Sequence, residues 1–290
     1  MMKYTPSETI ETIRRRMCEE RVDAYILPVH DPHFCTPILP RWDAMTLCLG
    51  DSAQGVQLII ANSALAVYSD KPLGDECRRV VDAAGVVVLA TSEAMYRWIA
   101  ERCGASGTSH EVALDGMTYT EPEVEQWQRQ LRQRGGITLR TNLRLLPDTS
   151  MREVEIRLSE SCECGDRLAA LRSALRDRHA DGMLMARHHD VRWLLHLAEE
   201  GGDGCFPSFV LVSTSAATLF ARDYNLSRSD ERQLLAAGIT VQPYTALPQA
   251  LKEYFEYNIL MDPNEIPFGM YRYVERQIIK EPSPIMEIVK

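Results

Sequence analysis

The chain has 290 residues, a formal net charge of −9 and a pI near 5.4. That acidic balance, with no Lys/Arg cluster, excludes a nucleic-acid binder, and no apolar run reaches the roughly 18–20 residues of a membrane span. The polar start Met-Met-Lys-Tyr-Thr-Pro-Ser-Glu lacks a signal-peptide core. The length suits two domains, and an apolar content of 45% can bury a real core. Eight cysteines are scattered through the chain; without a signal peptide they read as reduced thiols and the compartment as cytoplasmic.

Thr5-Pro6-Ser7-Glu8 is a capping box that opens a helix with Ile10, Ile13 and Met17 on one face. A strand at Ala24–Leu27 follows, then a proline-broken loop. Val56–Ala61 and Ala64–Tyr68 flank Asn62-Ser63 as a hairpin. Helix Gly74–Ala84, strand Val86–Ala90 and a helix capped by Ser92 and stopped by Gly104 come next. After strand Glu111–Leu114, a second capping box, Thr120-Glu121-Pro122-Glu123, opens a helix with Val124, Trp127 and Leu131 inward. Gly135-Gly136 ends it, before strand Ile137–Leu139.

Residues Pro147 to Gly165 are polar and patternless, and the linker is placed there. A helix with Leu168, Leu171 and Leu175 then leads into strand Gly182–Ala186 and a helix starting at a capping Asp190. Strands Phe209–Ser213 and Thr218–Ala221, helix Ser229–Ala236, strand Ile239–Gln242, helix Thr245–Phe255, strand Asn258–Met261 and helix Gly269–Arg276 complete the order. A last helix starts just before Lys290.

The second half repeats the first. Asp23-Ala-Tyr-Ile-Leu-Pro-Val-His30-Asp31 and Asp181-Gly-Met-Leu-Met-Ala-Arg-His188-His189-Asp190 share one pattern: aspartate, apolar strand, histidine, aspartate. Ala83-Ala84-Gly85 matches Ala236-Ala237-Gly238, and Asp115 matches Asp262. Element order is kept while the spacing between counterparts shrinks, as in a duplicated domain that has lost loop residues. The alternation of strands and helices makes each copy an α/β sheet covered by helices.

No complete catalytic or metal-ligating set stands out. His30, Asp31 and His33 are ligand types, but their simplest role is to cap the turn after a strand, and His188-His189-Asp190 reads the same way. His196 sits among leucines as a packing residue. Cys162-Glu-Cys164 has no partner pair and reads as free thiols. Gly201-Gly-Asp-Gly204 does not have phosphate-loop spacing, and Ser52 and Ser63 lack a nucleophile elbow.

Several of these stretches carry a resemblance. Asp23 to His33, with its D-x-H turn, the turn Gly50-Asp-Ser-Ala-Gln-Gly55, the strand Ala64-Leu-Ala-Val-Tyr-Ser-Asp70, the segment Asp190-Val-Arg-Trp-Leu-Leu-His-Leu197 and Pro282-Ser-Pro284 resemble, in order, the two N-terminal domains of Xaa-Pro aminopeptidases of the creatinase/prolidase superfamily. Two departures stand out. Asp70 is followed by Lys71-Pro72-Leu73 where the family carries glycine-arginine-tyrosine. Ala198-Glu199-Glu200 replaces an arginine-glycine-serine-aspartate run.

The resemblance implies two tandem creatinase/prolidase N-terminal-type domains, each a mixed sheet covered by helices, over residues 1–150 and 151–290. It also implies a pita-bread catalytic domain beyond this chain, where two aspartates, one histidine and two glutamates hold two divalent metal ions (manganese or zinc). The chain itself is expected to hold no cofactor and no catalytic residue. Asp31, His33 and Asp70 are expected on the rim of a substrate channel, partly exposed, so that His33→Ala costs under roughly 0.5 kcal/mol. The first reading is the non-catalytic N-terminal part of a proline-specific metalloaminopeptidase, cut before its catalytic domain, forming a homo-oligomer (a dimer) and meeting peptide only with that domain. The alternative is a free-standing relative that binds a peptide or protein.

Overall fold

The computed structural model describes residues 5–51, 53–103, 110–147, 157–159, 163–197, 205–221, 226–254, 258–274 and 277–289. Most of the expected linker, and Cys162, Ser52, Gly104, Ala198-Glu199-Glu200 and Gly201–Gly204, lie outside these residues. The chain divides into two compact units, Met1–Asp31 with Ile38–Met151, and Pro32–Pro37 with Arg152–Lys290. Six residues of the first half of the sequence, 32–37, thus belong to the second unit.

The first unit runs α1 (Pro6–Glu20), β1 (Ala24–Ile26), α2 (Ala44–Leu49), β2 (Gln57–Ala61), β3 (Leu65–Tyr68), α3 (Asp75–Ala83), β4 (Val87–Leu89), α4 (Ser92–Arg102), β5 (Glu111–Ala113), α5 (Glu121–Gln133) and β6 (Thr138–Arg140). The second runs α6 (Cys164–Asp177), β7 (Gly182–Met185), α7 (His188–Leu195), β8 (Phe209–Ser213), β9 (Ala217–Ala221), α8 (Arg228–Ala236), β10 (Ile239–Pro243), α9 (Leu247–Glu253), β11 (Ile259–Leu260), β12 (Ile278–Ile279) and α10 (Ile285–Ile288). The two six-stranded sheets have the same order, β4-β3-β2-β1-β5-β6 and β10-β9-β8-β7-β11-β12. In each, the hairpin strands β2–β3 or β8–β9 are antiparallel, the central strand β1 or β7 is antiparallel to the first hairpin strand, and the other pairs are parallel.

The repeated aspartates explain part of this match. The Asp23 carboxylate accepts the Glu111 N–H, and the Asp181 carboxylate accepts the Asn258 N–H at 3.1 Å. Each pins the start of the central strand to its parallel neighbour. Asp115 and Asp262 both accept a backbone N–H two residues on, making the same turn at the carboxyl end of that neighbour. Gly85 and Gly238 both take φ of +64° and +80° just past α3 and α8, where a side chain would be strained. Gly182 is required for another reason: a Cβ there would lie 2.7 Å from the Val212 carbonyl oxygen of β8.

The central strands β1 and β7 are buried throughout. Ile13 and Met17 of α1 cover the first sheet, and Leu168, Leu171 and Leu175 of α6 cover the second. Burying each such side chain contributes about 1.5–3 kcal/mol.

Several expected boundaries move. The proline-broken stretch between β1 and β2 holds a helix that was not expected, α2; Asp43 caps it by accepting the Thr46 N–H at 3.0 Å. Helix α7 starts at His188 after Arg187, so Asp190 sits in the first turn and is not the cap. The expected helix Gly269–Arg276 is a 3₁₀ helix, Phe268–Tyr273, in which Gly269 and aromatic residues disfavour α-helix. Strand β12 was not foreseen, because two residues carry too little periodicity to register.

Candidate functional site

In an open α/β sheet, the working residues gather beyond the carboxyl ends of the strands. In the first unit this end holds His30 and Asp31. The His30 ring nitrogens lie 3.2 Å from Glu123 Oε2 and 3.1 Å from the Asp31 carbonyl. Glu123 is there because its capping box turns it back to accept the Thr120 N–H at 2.7 Å. Burial works against a charged ring, but the hydrogen bond and charge of Glu123 prevail and raise the His30 pKa above its ordinary value. Burial likewise opposes the Glu123 charge, and His30 with Thr120 holds its pKa below the ordinary value. The Leu27 carbonyl accepts from Tyr119 Oη at 2.6 Å and from the Gln57 amide.

Asp31 is fully buried and its carboxylate accepts the Leu39 N–H at 2.9 Å. His33 is also fully buried, within the second unit. Its Nδ1 faces the Ala186 carbonyl at 3.1 Å and its Nε2 faces Tyr244 Oη at 3.0 Å, while its ring meets Phe209 edge-on at 4.6 Å. A carbonyl can only accept, so Nδ1 carries the proton and Nε2 accepts from the tyrosine. The expected partial exposure of Asp31 and His33 is therefore corrected. The Asp31 carboxylate is engaged by the backbone of the proline-broken loop, and the His33 ring by the Ala186 carbonyl, the Tyr244 hydroxyl and Phe209, which leaves neither a face to solvent. Asp70 is exposed, accepts from Tyr68 Oη, and lines an open surface cleft of about 570 Å³ with Lys71, Pro72, Leu73, Glu76 and Asp51.

The carboxyl end of β7 is built differently. Residues 32–37 bring Cys35 against Cys205, and the two are paired as a disulfide across 170 residues of sequence. This corrects the reading of all cysteines as reduced, and the compartment no longer follows from them. Among the described residues, Cys18, Cys48, Cys77, Cys103 and Cys164 are not in a disulfide. His188 lies beside the pair: one ligand atom of each of Cys35, His188 and Cys205 falls within 4.8 Å of the others. Burial, helped by the Arg192 charge, pushes the His188 pKa down to about 4. Farther round, Asp190 and Asp262 share Ser283, whose Oγ lies 3.3 Å from Asp190 and whose N–H lies 2.8 Å from Asp262. Burial and the Asp190 charge push Glu265 up to about 7 in spite of Arg187 at 2.6 Å.

Nothing in the local spacing of Cys35 or Cys205 could have signalled their pairing, since only the crossing of residues 32–37 into the second unit joins them. His196 is the left-handed C-cap of α7, and its Nδ1 accepts the Glu163 N–H at 3.2 Å, a structural role as expected. The two-metal centre that the resemblance implies is rich in carboxylates. Among the described residues, the group that comes together with ligand spacing is the sulfur-rich set Cys35, His188 and Cys205. The described residues do not fit that centre.

Residues 146–290 match the family described as Creatinase/Prolidase N-terminal domain. A probable Xaa-Pro aminopeptidase P of Pyrenophora teres f. teres is 22% identical over 286 residues, covering 91% of this chain and 42% of that protein. A probable Xaa-Pro aminopeptidase P of Paracoccidioides brasiliensis is 21% identical over 258 residues, covering 83% of this chain and 41% of that protein. The chain thus spans less than half the length of these curated relatives. Among solved structures, an X-prolyl aminopeptidase from Caenorhabditis elegans, described as a cytosolic enzyme with a di-nuclear active site, superposes with a TM-score of 0.80 at 13% identity, covering 98% of this chain and 51% of that one. At that identity the likeness is one of fold. No helix among the described residues is long and apolar enough to cross a membrane. With two sheets of one topology and half its length matched by the family, the chain belongs to the creatinase/prolidase N-terminal domain family.

Proposed function

We propose that this chain is the non-catalytic N-terminal part of an Xaa-Pro aminopeptidase-like metallopeptidase, where it shapes the substrate channel and supports dimer contacts. The observation that carries this reading is the match to relatives named Xaa-Pro aminopeptidase P across 91% of the chain. Peptide hydrolysis at neutral pH needs an activated water, which two metal ions supply in such enzymes. The described residues offer a sulfur-rich cluster and not the carboxylate-rich set that would hold two such ions. The part of the rim that remains open to peptide is the exposed cleft at Asp70 and Lys71. Asp31 and His33 are buried and contribute by holding backbone, Asp31 at Leu39 and His33 at Ala186.

The test uses a fluorescent Xaa-Pro peptide with manganese or zinc added. The expected outcome is no release of the N-terminal residue. Turnover that survives purification would overturn the non-catalytic assignment. Tight binding of the peptide without cleavage would favour the alternative, a free-standing peptide-binding module. That alternative is encouraged by Lys71-Pro72-Leu73 standing in the cleft where the family carries glycine-arginine-tyrosine. Light scattering tests the dimer.

A further inference from the structure

The carboxyl end of β7 carries more than a staple. The loop 32–37 delivers Cys35 there, and Cys205 arrives just before β8. His188 is set by its own backbone: its N–H donates to the His33 carbonyl at 2.8 Å, and its ring packs edge-on against Phe206 at 5.2 Å. His188 Nδ1 is buried and has no hydrogen-bond partner among the described residues. A buried imidazole nitrogen without a partner is costly unless something occupies it. His33 does not compete for the role, because both of its ring nitrogens are engaged. The three side chains come from three separate stretches of the chain, yet their ligand atoms lie within 4.8 Å of one another.

We propose that Cys35, Cys205 and His188 form a binding site for a thiophilic divalent cation of the zinc class, open when the cysteines are reduced and closed when they pair as the disulfide. Two thiolates and a neutral imidazole match the sulfur and nitrogen preference of zinc, and their charge cancels that of the ion, which suits a buried place. A Cα–Cα distance of 5.8 Å lets the sulfurs part to roughly 3.8 Å, the spacing two Zn–S bonds of about 2.3 Å require, by side-chain rotation. The fourth position is left to solvent or an outside donor. The exchange balances. A dithiol gives two electrons and two protons to the disulfide, becoming a disulfide itself and leaving two thiols. The cation then displaces the two thiol protons to solvent.

The test uses the full chain and cobalt(II) as the probe, whose visible and thiolate charge-transfer absorption reports sulfur ligation. The chain reduced by a phosphine without oxygen should take up one cobalt per chain with a thiolate band, and zinc should displace it. The same chain oxidised should show no band, a comparison that needs no variant. His188→Ala should weaken binding at least about tenfold. An absent band in the reduced chain overturns the proposal. So does an equal band in the oxidised chain, or one that survives Cys35→Ser with Cys205→Ser and so belongs to other thiols.

Discussion

His30 follows the central strand of the first sheet and His188 follows that of the second, at matching places in the repeat. One is drawn toward its charged form by Glu123 and the other is held neutral by burial, with its pKa pushed down to about 4. The strands, the aspartates that start them and the turns beside them are shared. The difference comes from what other segments bring to the strand end. In the first unit the capping box of α5 brings a carboxylate. In the second, the carboxylate after the parallel neighbour, Glu265, pairs with Arg187, and a borrowed loop fills the space with Cys35. A duplicated sheet preserves its frame through backbone-directed residues, while its chemistry diverges through the loops.

The largest expected break in this comparison is loss of the disulfide. Cys35→Ser with Cys205→Ser should cost about 2–5 kcal/mol, and hydrogen exchange should show the loss in the second unit. Equal loss of protection in the first unit would mean that the two sheets do not hold their strand ends independently. Next comes His33→Ala. Truncation leaves the Ala186 carbonyl and Tyr244 Oη facing a cavity, at a cost of about 2–3 kcal/mol by denaturant midpoint. Asp70→Ala, at an exposed site, should stay within about 0.5 kcal/mol. Near-equal values for the two variants would contradict the burial of His33.

These two residues show how far the sequence could be read. The repeat, the element order and the two capping boxes were legible because they depend on residues close in the chain: Thr5 with Glu8, Thr120 with Glu123, and the matching positions of Asp115 and Asp262. Asp23 and Asp181 were visible as a repeated pattern, although their role in tying two strands together was not. The environment of His33 was not legible, because its partners Ala186, Phe209 and Tyr244 all lie in the other half of the sequence. His30, three residues earlier, finds its partner in its own half, and the D-x-H pattern cannot distinguish the two. The cysteine pair failed for the same reason, since scattered thiols carry no local sign of which two will meet.

A smaller effect sharpens the contrast through pH. The folded pKa of Glu265, about 7, stands above its ordinary 4.5. Its contribution to stability is full below 4.5 and is lost as pH rises through about 7, on the order of 2 kcal/mol. His188 runs the other way: its folded pKa is lowered, so its contribution is full above 6.5 and is lost as pH falls toward about 4. The difference between Glu265→Gln and the native chain isolates the carboxylate. That variant should flatten the decline of stability between pH 4.5 and 7, measured by denaturant unfolding at several pH values. An unchanged pH profile would show that Arg187 keeps Glu265 ionised.

The smaller of the pH effects belongs to His30 and Glu123, and its pH signature is the reverse of that in the second unit. The His30 pKa is raised, so its contribution is full below 6.5 and is lost as pH climbs through the folded value. The Glu123 pKa is lowered, so its contribution is full above 4.5 and is lost as pH falls through the folded value. The pair therefore stabilises most between pH 4.5 and 6.5, an interval in which Glu265 contributes less as pH rises and His188 contributes less as pH falls. The Glu123 side chain is 36% exposed, so solvent screening keeps the coupling at about 1 kcal/mol or less, and salt reduces it further. A double-mutant cycle with His30→Ala and Glu123→Gln should give its largest coupling near pH 5.5 and little at pH 8.5, where the imidazole is neutral. Glu123 also closes its capping box on Thr120, so Glu123→Gln, which can still accept that N–H, is the right partner for the cycle. A coupling that persists unchanged at pH 8.5 would show that the two side chains meet through a neutral hydrogen bond. The electrostatic contrast between the two strand ends would then reside in the second unit alone.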